Sequence, residues 1–88
     1  MTLQEREARA CAIIDSMAQE LRAVSLYLHD NPELGLNEHK AVKAIHQFLE
    51  KQNFISQVGL ADIRELQTAL RADYRGNAKY KIAFLGEY

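Results

Sequence analysis

Ala10, Ile13, Ile14, Met17, Leu21, Val24 and Leu28 recur at three- and four-residue steps. That period places them on one stripe of a helix running from Leu3 to about His29. Gln4, Glu5, Arg9, Asp15, Gln19 and Arg22 fall mostly on the other side. At about 1.5 Å per residue the helix would be roughly 35 to 40 Å long. The whole chain has 88 residues, enough for one domain or part of one. A helix of that length suits a chain that lies across something larger, because a chain this short buries only about two-thirds of its unfolded surface.

Asp30-Asn31-Pro32-Glu33-Leu34-Gly35 ends the first helix. Pro32 pushes Asn31 out of helical geometry, and Gly35 can adopt a left-handed conformation. Asn37 is the expected N-cap of a second helix, with Glu38 in its positive first turn. Ala41, Val42, Ile45, Phe48 and Leu49 form its apolar face, and it should end near Gln52-Asn53. A short strand, Phe54 to Val58, follows. Asp62 to Tyr74 reads two ways. Ile63, Leu66 and Leu70 could share a helical face, whereas Thr68, Leu70, Ala72 and Tyr74 alternate with period two. The strand is the favoured reading, followed by a hairpin loop at Arg75-Gly76-Asn77-Ala78-Lys79 and a strand at Tyr80 to Leu85. Tyr80, Ile82 and Phe84 would share one face of that strand. The expected fold class is α/β (or α+β), with two N-terminal helices and about three strands.

Charge and cysteine usage narrow the function. Eleven Lys and Arg against twelve Asp and Glu leave a net charge of -1, with no basic block to neutralise phosphates, so nucleic acid is not an expected partner. No apolar run is long enough to span a membrane. The N-terminus lacks the basic-then-apolar order of a secretory signal. Cys11 is the only cysteine. These features point to the cytoplasm.

The stretch Leu28-His29-Asp30-Asn31-Pro32-Glu33-Leu34-Gly35-Leu36-Asn37-Glu38 resembles a signature of amidohydrolases that cleave N-acyl amino acids. That signature reads His, two residues, Pro-Glu-Leu-Gly, two residues, Glu, and it lies near the start of those enzymes. Gln67-Thr68-Ala69-Leu70-Arg71-Ala72-Asp73-Tyr74 resembles the family's Thr-Ala-Phe/Leu-(Arg/Lys)-Ala strand. Ile82-Ala83-Phe84-Leu85-Gly86-Glu87-Tyr88 resembles the strand that in the family runs into Glu-Tyr-Asp-Ala-Leu-Pro. The three occur in the family's order and spacing, and the resemblance covers roughly residues 9 to 88. It is closest to p-aminobenzoyl-glutamate hydrolase and its metallopeptidase relatives of aminoacylase and carboxypeptidase type.

The resemblance implies that residues 1–88 are the N-terminal part of a helix-flanked-sheet catalytic domain, and it favours the strand reading of 67–74. It also implies that the parent hydrolyses N-acyl or N-aroyl amino acids or small dipeptides. In that family two divalent ions, usually zinc, activate a water and polarise the scissile carbonyl while a Glu acts as general base. The family's ligands resemble His-Ala-Cys-Gly-His-Asn, then Glu-Glu, then further His. All lie beyond the Glu-Tyr-Asp turn, so no position here matches a ligand or the base. No catalytic or metal residue is assigned, the substrate-binding residues stay unknown, and the chain alone is expected to be inactive.

The residues present offer little independent chemistry. His39 and His46, seven apart, would share a helix face about 10 Å apart, too far for both to ligate one ion at about 2.0 Å. They read as solvent-facing side chains. His29 and Glu38 could be an acid/base pair, but they read better as hydrogen-bonding groups that pin the Pro32-Gly35 turn. Cys11 reads as a buried or half-buried structural thiol. Tyr74, Tyr80 and Tyr88 read as strand-face packing rather than a stacking platform. The alternative to an amidohydrolase fragment is a small non-catalytic interaction or oligomerisation module. In either case strands Gln67-Tyr74 and Tyr80-Leu85 would leave exposed edges, so self-association is the expected partnership.

Overall fold

The computed structural model of the chain describes residues 1–59 and 66–88. Its elements are α1 (Leu3–Ser16), α2 (Ala18–Asp30), α3 (His39–Lys51), β1 (Ile55–Val58) and β2 (Leu70–Asp73). Three helices beside a two-stranded antiparallel sheet make a mixed α/β fold.

The long first helix is interrupted. It begins on a capping box, in which Thr2 Oγ1 accepts from Glu5 N–H at 3.1 Å and Glu5 Oε2 accepts from Thr2 N–H at 3.0 Å. It stops where Ser16 turns its hydroxyl back onto the Ile13 carbonyl at 2.5 Å. The Met17 N–H is then shared between the carbonyls of Ile13 and Ile14. A serine that bonds the preceding turn competes with the helix ladder and bends it. Met17 takes φ −98°, ψ 3°, and α2 starts at the next residue. The expected single helix is therefore two.

Its stripe does not face a core along its whole length. Ile13 and Ile14 are exposed, and so is Cys11, which corrects the expectation of a buried or half-buried thiol. Only Val24 and Leu28, farther along the stripe, join Met17 in being half-buried. α2 ends as the Pro32 segment requires, and the Asn31 amide donates to the Tyr27 carbonyl at 2.9 Å, which satisfies one of the last-turn acceptors.

The core sits on α3. Ala41 and Val42 are buried and Ile45, Phe48 and Leu49 half-buried, the face that the apolar spacing indicates. That face packs against α2 on one side and the sheet on the other. β1 and β2 pair Ile55 with Asp73, Ser56 with Ala72, Gln57 with Arg71 and Val58 with Leu70. Phe54 and Tyr74 close one end of the ladder with ring centroids 5.5 Å apart. Gly59 closes the other, at φ +81°, donating to the Ala69 carbonyl at 2.7 Å.

Among the described residues there are two strands, not about three. Tyr80 to Leu85 forms no ladder, and Ile82, Phe84 and Leu85 are 82%, 92% and 101% exposed. The expected hairpin at 75–79 accordingly joins no pair of strands. A third strand is favoured when its apolar face meets a second layer, and none of the described elements covers that face. The helical alternative for 62–74 falls partly on residues outside the described ones. Of the strand expected over Gln67-Tyr74 only Leu70–Asp73 forms one; Leu66 to Thr68 make a turn, closed by the Ala69 N–H donating to the Leu66 carbonyl at 3.2 Å.

Candidate functional site

The turn between α2 and α3 is built by Glu33. Its Oε2 accepts from the Lys40 N–H at 3.0 Å and its Oε1 from the Ala41 N–H at 2.9 Å. A carboxylate there caps the first turn of α3 and meets the positive end of its dipole. The Lys40 backbone bond, aided by the Ala41 bond and the nearby Lys40 and His39 charges, holds the Glu33 carboxyl below its ordinary value, against a partial desolvation that acts the other way. The expected N-cap, Asn37, does not serve. The residue preceding α3 is Glu38, whose side chain makes no cap bond. Leu36, at φ 69°, takes the left-handed step of the turn.

Freed from capping, Glu38 faces the sheet. Its Oε1 lies 3.4 Å from Thr68 Oγ1, which donates to it. Thr68 is buried, 3% exposed, at the approach to β2. Its carbonyl accepts a hydrogen bond from the Tyr88 hydroxyl. Desolvation, and then the Glu38 charge, push the Tyr88 phenol above its ordinary value. These three residues, with Leu36, Leu66 and Glu87, line a shallow cleft of about 240 Å³. Each of the three motif segments contributes a residue: Glu38 from the first, Thr68 from the second and Tyr88 from the third.

The other singled-out residues lie elsewhere. His29 does not pin the turn; its Nδ1 lies 3.2 Å from Asp30 Oδ1 on an exposed surface. His39 is solvent-facing, as expected. His46 is not: it is half-buried, 2.8 Å from Ser56 Oγ through Nδ1 and 2.8 Å from Glu50 Oε1 through Nε2. Tyr74 and Tyr80 are both exposed, and Tyr74 keeps a ring contact with Phe54. Among the described residues no three His, Cys, Asp or Glu side chains converge on a metal-binding geometry. The residues here do not fit a two-ion centre by themselves, and no chemical step is derived through one. No described helix is long and apolar enough to cross a membrane.

What the cleft can do chemically is limited. Glu38 is an acceptor with one neutral donor, Thr68 is fully engaged, and Tyr88 offers a phenol already bonded to backbone. The arrangement fixes the turn, the sheet approach and the chain end to one another. It contains neither an activated nucleophile nor a converging set of donors for an oxyanion.

Comparison with known proteins finds a likeness to a hydrolase. The chain is 40% identical over 58 residues to an uncharacterised hydrolase of Staphylococcus haemolyticus, which covers 66% of this chain and 14% of that protein. The chain thus spans about one-seventh of the length of the relative it matches. No family model matches the chain. No solved structure matches it either. The likeness is to a hydrolase, and it carries no finer class.

Proposed function

We propose that the chain is the N-terminal part of the catalytic domain of a metal-dependent amidohydrolase, cytoplasmic, with N-acyl or N-aroyl amino acids or small dipeptides as substrates. The observation that carries this reading is the meeting of Glu38, Thr68 and Tyr88 at one cleft. Three segments chosen for their likeness to one family converge in space, which separate chance matches have no reason to do. The likeness to a hydrolase about seven times the length of the matched part agrees with it. In this reading residues 1–88 are scaffold. The two divalent ions and the general base are supplied by segments beyond the third motif, and the 88-residue chain alone carries out no metal-dependent amide hydrolysis.

Intact-mass measurement of the native product, captured from source-cell lysate with an antibody to residues 1–88, tests the proposal. A mass several-fold above 10.0 kDa supports a full amidohydrolase. Zinc-dependent hydrolysis of an N-acyl amino acid by the purified 88-residue chain would sink the scaffold assignment.

One observation favours a second reading, a non-catalytic module that self-associates. The chain exposes 8109 Å², whereas a compact monomer of this mass exposes about 5,200 Å². Apolar residues such as Ile82, Phe84 and Leu85 contribute to that exposed surface. A native mass near 10.0 kDa would turn the assignment to this reading.

A further inference from the structure

We infer that Ser56 is a base-activated hydroxyl able to take an acyl group from a small activated ester, with His46 as its base and Glu50 as the positioning residue. Ser56 stands on β1, and His46 and Glu50 stand one turn apart on α3, which packs on that strand. Ser56 Oγ lies 2.8 Å from His46 Nδ1, and His46 Nε2 lies 2.8 Å from Glu50 Oε1. Nucleophile to base to orienting carboxylate, each within hydrogen-bond reach, is the arrangement that activates a serine. The carboxylate holds the imidazole proton on Nε2, which leaves the Nδ1 lone pair facing the hydroxyl.

Burial is graded in the sense this chemistry needs. The imidazole is 26% exposed and Ser56 is half-buried, so the base is shielded while the serine is not closed off from solvent. A donor for the developing oxyanion is also present. Gly59 N–H donates to Ala69 O, which makes that a hydrogen-bonded pair of the antiparallel ladder. By alternation Ser56 and Ala72 form a non-hydrogen-bonded pair, and the Ser56 N–H points to the outer edge of β1. No described strand occupies that edge. A nucleophilic serine's own N–H is a recurrent oxyanion donor.

In the step, the Oγ–carbon bond forms and the bond from that carbon to the leaving alkoxide breaks. The serine proton passes to Nδ1 and from there to the alkoxide, which departs as the alcohol. Water, deprotonated in turn by Nδ1, releases the acid and restores the hydroxyl. None of the Glu38, Thr68 and Tyr88 cleft is used, so this inference and the amidohydrolase reading stand or fall separately.

The test is labelling of the full chain with a fluorophosphonate, which forms an oxygen–phosphorus bond and expels fluoride. Peptide mass spectrometry should place one adduct on Ser56, absent from Ser56→Ala. The labelling rate should fall about 100-fold in His46→Gln, the size of a general-base contribution, and several-fold in Glu50→Gln. Circular dichroism establishes that each variant folds. Exposed Glu50 keeps the test decisive if His46→Gln melts early. No adduct on Ser56 in the folded chain overturns the inference. So does a rate unchanged by both His46→Gln and Glu50→Gln.

Discussion

Thr68 donates its hydroxyl to Glu38, a residue thirty positions earlier, at 3.4 Å. Thr68 is also the most buried polar residue described and the acceptor, through its carbonyl, for Tyr88. One threonine thus ties the turn before α3 to the approach to β2 and to the segment ending at Tyr88. A buried hydroxyl is stable where its hydrogen bond is made, so the tie to Glu38 depends on the Thr68 side chain, while the tie to Tyr88 runs through the Thr68 backbone.

Replacing Thr68 by Val keeps the shape and removes the donor. Glu38 is half-buried and can be hydrated in its place, so the loss should be modest, about 1 kcal/mol. Urea unfolding followed by circular dichroism measures it. An unchanged midpoint would mean that the Thr68–Glu38 bond contributes nothing in solution.

Tyr88→Phe removes the hydroxyl that reaches the Thr68 carbonyl. The phenol is held above its ordinary value near 10.0 by desolvation first and the Glu38 charge second. A group whose folded value is raised adds stability that is complete below the unfolded value. That stability is lost as pH rises through the folded one. The wild-type chain should therefore weaken above about pH 10, in step with phenolate absorbance, and Tyr88→Phe should weaken less over the same range. Equal alkaline profiles would free Tyr88 from any part in the fold.

Glu33 gives the opposite slope. Its carboxyl is held below the ordinary 4.5, first by the Lys40 backbone bond. Its stability is present above the unfolded value and lost as pH falls through the folded one. Melting temperature should decline on acidification from about pH 5, and Glu33→Gln should flatten that decline while lowering the melt at neutral pH. A variant as acid-sensitive as the wild type would show that the cap is not charged in solution.

How much of this was legible depends on the range of the interaction. The α3 face was readable because Ala41, Val42, Ile45, Phe48 and Leu49 repeat with the helix period, and β1 because Phe54, Ile55 and Val58 follow the helix end. The break at Met17 was not, since the Ser16 back-bond competes with the ladder in a way that periodicity does not register. The Thr2–Glu5 capping box is spelled in the sequence as Thr-x-x-Glu. Glu33 caps residues seven and eight positions away, beyond the local rule that nominated Asn37. Strand composition at 80–85 was plain, but pairing needs a layer that composition cannot report. At the site, Glu38, Thr68 and Tyr88 all lie within the motif segments. Their meeting, like that of His46 with Ser56, is tertiary and left no spacing to find.

Gly59 offers a local check on the sheet. It sits at φ +81°, and a Cβ there would lie 3.3 Å from the Gln67 carbonyl oxygen. An L side chain in left-handed geometry costs about 1–2 kcal/mol, and the close backbone oxygen adds to it. Gly59→Ala should destabilise the chain by at least that much in urea unfolding. A neutral result would mean that the Gly59–Ala69 end of the ladder is frayed in solution.

The largest expected effect concerns the exposed apolar residues. Ile82, Phe84 and Leu85 stand almost wholly in solvent, and β2 has a partner on one edge only. An unpaired edge beside an unburied apolar segment invites a further strand. At about 25 cal/mol per Å², covering even 600 Å² of apolar surface contributes roughly 15 kcal/mol before the costs of association. The purified chain should therefore sediment as a dimer or larger species at micromolar concentration. Ile82→Lys with Phe84→Lys should shift it toward monomer. A single-species monomer at high concentration with a cooperative melt would overturn the expectation, and would mean that the chain covers residues 80–85 by itself.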